Sequence, residues 1–137
     1  MVPEYVILGN PITKKNSQRI VMLGGHPAII PSKQYKLYAK YATSQLLGSK
    51  PERPIAASVN VACVYYMQTH RKVDLVNLLE ATLDVLVDAG ILADDNAKIA
   101  VSHDGCLVRY DKTNPRVEIA ITERKERCDE SEAKKGA

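Results

Sequence analysis

"ASVNVACVYYMQTHRKVDLVNLLEATLDVLVDAG", residues 57–90, changes its hydrophobic period halfway along. Ser58 to Met67 is rich in β-branched and aromatic residues, the composition of a long strand. From Asp74 onward the apolar residues fall at helical spacing, and Leu75, Leu78, Leu79, Thr82, Leu83 and Leu86 form one stripe at about 100° per residue. Asp74 stands where a helix N-cap belongs. Asp74, Asn77, Ala81, Asp84 and Asp88 share the opposite face. A strand running into an amphipathic helix through the basic turn "QTHRK" sets the grammar for the rest of the chain.

Working outward, Tyr5 to Leu8 is an apolar run stopped by Gly9-Asn10-Pro11, which reads as a first strand. "IVMLGGHPAII" predicts two short strands folded about Gly24-Gly25. Ser32 caps a helix to about Leu47, with Tyr35, Tyr38, Ala42 and Leu46 inward, Lys33, Lys36 and Lys40 outward, and Gly48 ending it. Beyond Asp94-Asp95 come an extended segment near Ile99 to Ser102, a turn at Asp104-Gly105 and a strand through Leu107 to Tyr110. A last strand covers Arg116 to Thr122, with Val117, Ile119 and Ile121 on one face. The expectation is an α+β (mixed α/β) fold: one domain over residues 1–122, a mixed β-sheet with two main helices packed on it. Residues 123–137 are charged and poor in apolar side chains, so they are expected to be a disordered tail.

At 137 residues the chain suits one domain with a real core. Its formal net charge of +3 permits a polyanionic partner without requiring one. No apolar run reaches the roughly 18 residues of a membrane span, and "MVPEYVILGN" lacks the basic start of a signal peptide, so a cytoplasmic protein is expected. Cys63, Cys106 and Cys128 are spread along the chain, which suggests reduced, inert thiols, with Cys63 facing the core. There is no glycine-rich nucleotide loop and no nucleophile elbow. His26, His70 and His103 lack zinc-ligand spacing.

The acids of the second helix and the turn after it carry two readings. In one, Asp74 only caps the helix, Asp84 and Asp88 are solvated, and Asp94-Asp95 are turn residues. In the other, the acid at the helix start and the doublet converge through the fold. Hard oxygen donors of this kind hold Mg²⁺, which polarises a phosphodiester and lowers the pKa of the attacking water. Lys14, Lys15, Arg19, Arg71 and Lys72 are then candidates to hold phosphates.

Three segments together resemble the RusA family of Holliday junction resolvases, small dimeric magnesium-dependent endonucleases common in prophages. They are "GNPITKKNSQR" near the N-terminus, "VDLVNLLEATLDVLVDAGILADDNAKI" in the centre and "PRVEIAI" near the C-terminus. The resemblance implies a homodimer that binds branched DNA in recombination and repair and cuts it with Mg²⁺, Mn²⁺ being an alternative. It implies a metal-binding Asp at the helix start, matching Asp74 and followed by Asn77, and a catalytic Asp matching Asp95, with Asp94 beside it. The family pattern also has an Asp two residues after the first and a Lys one turn later. This chain carries Val76 and Glu80 there. Three accounts stay open. Glu80 restores the missing carboxylate while Lys72, Lys14 or Lys15 supplies the cation; Asp104 reaches the site from its loop; or the protein binds junctions without cutting them.

Overall fold

The computed structural model describes residues 2–14, 19–30 and 32–124. Lys15 and the expected tail from residue 125 on, including Cys128, lie outside the described residues. Within them the chain order is β1 (Tyr5–Leu8), β2 (Arg19–Leu23), β3 (His26–Ile30), α1 (Lys33–Leu46), β4 (Val59–Met67), α2 (Leu75–Asp88), β5 (Ala100–Ser102), β6 (Leu107–Tyr110) and β7 (Arg116–Glu123).

β4 is the spine. It pairs antiparallel with β7 along most of its length, and on its other edge it takes β5 and then β6 in parallel. β1 closes the far edge, antiparallel to β7. The result is a five-stranded mixed sheet, as the sequence pattern predicts; β2 and β3 form a separate hairpin.

The alternation of a strand sends Val59, Val61, Cys63, Tyr65 and Met67 to one face of β4, and Val117, Ile119 and Ile121 to the same face of β7. These residues meet Ala42 and Leu46 of α1 and Leu78, Val85 and Leu86 of α2 in one core. Both helices start where the caps predict: Ser32 Oγ accepts the Tyr35 N–H, and Asp74 Oδ1 accepts the Val76 N–H at 3.0 Å. Tyr65 and Thr82 bond hydroxyl to hydroxyl at 2.8 Å, which satisfies two buried polar groups and joins β4 to α2.

Three differences from the sequence pattern have physical reasons. Ala81 faces the core, only 4% exposed, and Val85 with it, because α2 packs against α1 as well as the sheet; Leu75, Leu79 and Leu83 are left half-buried at the rim. β7 runs on through Glu123, where it still pairs with Val59, and the Arg124 N–H donates to Ser58 O. The folded body therefore extends past Thr122. Finally, Cys63 and Cys106, distant in sequence, are neighbours in space: the Cys63 N–H donates to Cys106 Sγ at 3.3 Å.

Candidate active site

The segment leaving α2 decides where the acid doublet goes. Gly90 adopts φ +80°, the left-handed conformation that lets a chain reverse at a helix end. The Ile91 and Leu92 amides return to Leu86 O, and both side chains sink into the core. Ile55 then grips the segment from the other side, through Ile55 N to Ile91 O and Ala93 N to Ile55 O. Pinned in this way, Asp94 and Asp95 come back beside the last turns of α2.

There they border a cavity of about 480 Å³ shared with Lys14, Tyr35, Asp84 and Asp88. Lys14 Nζ lies 2.7 Å from Asp84 Oδ2, both side chains about one-third exposed. The hydrogen bond to Asp84 raises the Lys14 pKa against the opposing effect of burial, with further support from the Tyr35 and Glu80 charges. Positions 76, 80, 84 and 88 are four residues apart and succeed one another along the helix surface. Lys14 offsets the repulsion that Asp84 and Asp88 would otherwise exert at i and i+4.

Asp94 is held by its own turn. Oδ1 accepts the Asp95 N–H at 2.7 Å and Oδ2 accepts Asn96 Nδ2 at 3.1 Å. These bonds, the backbone one first, hold its carboxyl below the usual carboxylate range, so Asp94 is ionised at neutral pH. Asp95 is exposed beside it.

The remaining expected site residues are spread over several elements. Asp74 is exposed at the opposite end of α2, about 15 Å along the helix axis from Asp84 at 1.5 Å per residue. Glu80 and Val76 are exposed on the row between them. Arg71 and Lys72 line a second cavity, about 600 Å³, together with Asn10, Thr13 and Gln68; Asn10 Oδ1 accepts the Gln68 N–H and ties that loop to the segment carrying Lys14. Arg19 opens β2. Asp104 is bonded to Arg124 and does not line the acid cavity.

By sequence alone Asp84 and Asp88 read as solvated residues. Their place beside Asp94 and Asp95 comes from the Gly90 reversal and the Ile55 bridge, which bring the doublet back to the end of α2. Cys106 likewise reads as inert, and the structure sets it beside Cys63 and Val61, its thiol donating to Val61 O at 3.5 Å. Hydrogen bonding from Cys63, then from His103, pulls the Cys106 thiol down to about 5, while Cys63 is pushed well up by that same bond and by burial.

Magnesium takes oxygen donors, usually one or two carboxylates completed by water and phosphate oxygens. The adjacent, exposed carboxylates of Asp94 and Asp95 suit that chemistry. Among the described residues no three His, Cys, Asp or Glu side chains are arranged to hold an ion by themselves.

The small α+β domain thus carries an acid-lined, lysine-braced cavity and, ahead of α2, the basic residues Arg71 and Lys72. The chain matches the family model for Endodeoxyribonuclease RusA over residues 9–122, most of its length, and it belongs to that family. No curated protein matches it. Among the described residues no helix is long and apolar enough to cross a membrane.

Proposed function

We propose that the chain is a homodimeric, Mg²⁺-dependent endonuclease that binds and resolves four-way DNA junctions in the cytoplasm. The observation that carries this reading is the acid cavity along α2, found in a chain of an endodeoxyribonuclease family. In this reading Asp74 and Asp95 hold the ion, with Asp94 and Glu80 assisting. The bound ion supplies charge neutralisation at the phosphate and a water of lowered pKa. Arg71 and Lys72 bind phosphates, Lys14 keeps Asp84 neutralised, and the Asp94 turn holds Asp95 in place.

Geometry adds a requirement. Mg²⁺ binds oxygen at about 2.1 Å, so two carboxylates on one ion lie within a few ångströms of each other. Asp74 and the Asp95 cavity occupy opposite ends of α2. In this reading a shared ion takes Asp74 from one copy and Asp95 from a second. A four-way junction has two-fold symmetry, and a C2 dimer presents two such sites to matched strands.

One observation favours a second reading, an inert junction binder. Val76, where the family pattern places an Asp, is 69% exposed and offers no donor. A synthetic four-way junction incubated with and without Mg²⁺ distinguishes the two. Nicking that depends on the metal supports the enzyme; a gel shift without nicking, in Mg²⁺ or Mn²⁺, supports the binder; neither overturns both.

A further inference from the structure

A second constellation lies away from the acids, where β4 and β6 end side by side. Tyr110 is the last residue of β6 and pairs with Met67, the last of β4. The Asp111 N–H donates to Met67 O at 2.9 Å, which locks the two strand ends together. Past Met67 the chain turns, and the His70 ring stacks on the Tyr110 ring with centroids 3.8 Å apart and planes 22° from parallel.

Neither ring belongs to the core, and both are exposed, Tyr110 by 43%. Two exposed aromatic rings stacked on each other leave outer π faces to solvent. Arg71 and Arg109, the chain neighbours of the two rings, are exposed as well, and all four residues border a cavity of about 330 Å³ that no acidic residue lines. Asp111, the closest acid in sequence, is already paired with Arg116 at 3.0 Å.

We propose that His70 and Tyr110 stack on an unstacked nucleobase while Arg71 and Arg109 hold its flanking phosphates. Aromatic platforms framed by cations bind bases without regard to sequence, because every base has a π face. In a duplex those faces are covered by neighbouring pairs, so the ligand is a nucleotide whose stack is interrupted, as at the branch point of a junction. The position is apt: three residues after Arg71 comes Asp74, so a base held here places the adjoining backbone at the start of α2. The proposal deepens the junction-binding reading and rests on it.

The test uses the full chain and a four-way junction carrying 2-aminopurine at the branch point, with a 2-aminopurine duplex as control. Wild-type protein is expected to change the fluorescence of the junction and not of the duplex. Tyr110→Ala and His70→Ala each lose that change and weaken junction binding about tenfold, the scale of one lost base stack. Tyr110→Phe and His70→Phe keep both properties. Wild-type protein irradiated with 5-iodouracil at the branch point is expected to crosslink at Tyr110 or His70, a measurement that needs no variant to fold. Junction binding that survives both alanine changes intact, or crosslinks found only elsewhere, overturns the platform and leaves the junction reading standing. A wild-type protein that binds no junction overturns both.

Discussion

Asp74 does one thing visibly: its carboxylate caps α2. Asn caps a helix about as well as Asp, so Asp74→Asn preserves the fold and removes only a charged donor. If Asp74 and Asp95 hold the ion, Asp74→Asn and Asp95→Asn each lower junction cleavage by on the order of a hundredfold or more, while binding persists as repulsion of the phosphates is relieved. Full cleavage by both variants would remove these residues from the metal site. Glu80 tests the substitute for the acid absent at Val76: Glu80→Gln is expected to slow cleavage, whereas a merely solvating Glu80 tolerates the change. Cys106 makes a separate forecast about pH. The thiolate is the nucleophile, and the bonds from Cys63 and His103 stabilise it, so half-buried Cys106 is expected to alkylate with iodoacetamide with a midpoint near pH 5, in place of one near the ordinary value of 9.0. Reactivity is lost as pH falls through that midpoint. Cys63, buried and shifted upward, stays unmodified in the folded protein. Mass spectrometry of tryptic peptides across a pH series checks both.

At the scale of elements, α2 is the part whose surroundings differ most from its sequence pattern. Ala81 falls on the acidic face by angle alone, yet it is buried where α2 meets its neighbours. Ala81→Glu is therefore expected to cost about 3 kcal/mol or more, an unpaired charge having been placed in the interior, and urea denaturation reads the loss directly. A solvent-facing position would tolerate the change within about 0.5 kcal/mol. Strand and helix starts were legible because they derive from local chemistry: β-branched runs, Ser32 and Asp74 as caps, and glycines at the turns. The buried arc of α2 was not, since a hydrophobic stripe shows which side is most apolar and is silent about a second helix approaching from the flank. The cavity was half legible. Its acids are plain in the sequence, and Asp94-Asp95 stand out as a pair. That Asp84 and Asp88 share their cavity depends on the Gly90 reversal and on Ile55 gripping the segment after it, contacts made across 35 residues and more of chain. The stacking of His70 on Tyr110 was hidden for the same reason, as it arises from the parallel register of β4 and β6.

At the scale of the whole molecule, the proposed homodimer needs a surface, and the apolar face of the β2–β3 hairpin is the candidate for it. Ile20 pairs with Ile29 and Met22 with Pro27, so these four side chains share one face of the ribbon. Ile20, Met22 and Ile29 are 71%, 66% and 65% exposed. A two-stranded ribbon is marginal on its own in water, and an apolar face of this kind is a natural seat for a second copy. Junction binding by such a dimer is expected to fall by roughly a thousandfold between about 50 and 200 mM salt, through release of counterions by its lysines and arginines. The double change Ile20→Asp, Ile29→Asp separates assembly from folding, because side chains this exposed contribute little to the stability of a single copy. Sedimentation is expected to show wild type as a dimer at micromolar concentration and the double variant as a monomer with an unchanged circular dichroism spectrum. If two copies share the ion, cleavage is expected to disappear with the dimer. A double variant that remains dimeric moves the interface off the hairpin, and a monomeric variant that still cuts junctions overturns the shared site.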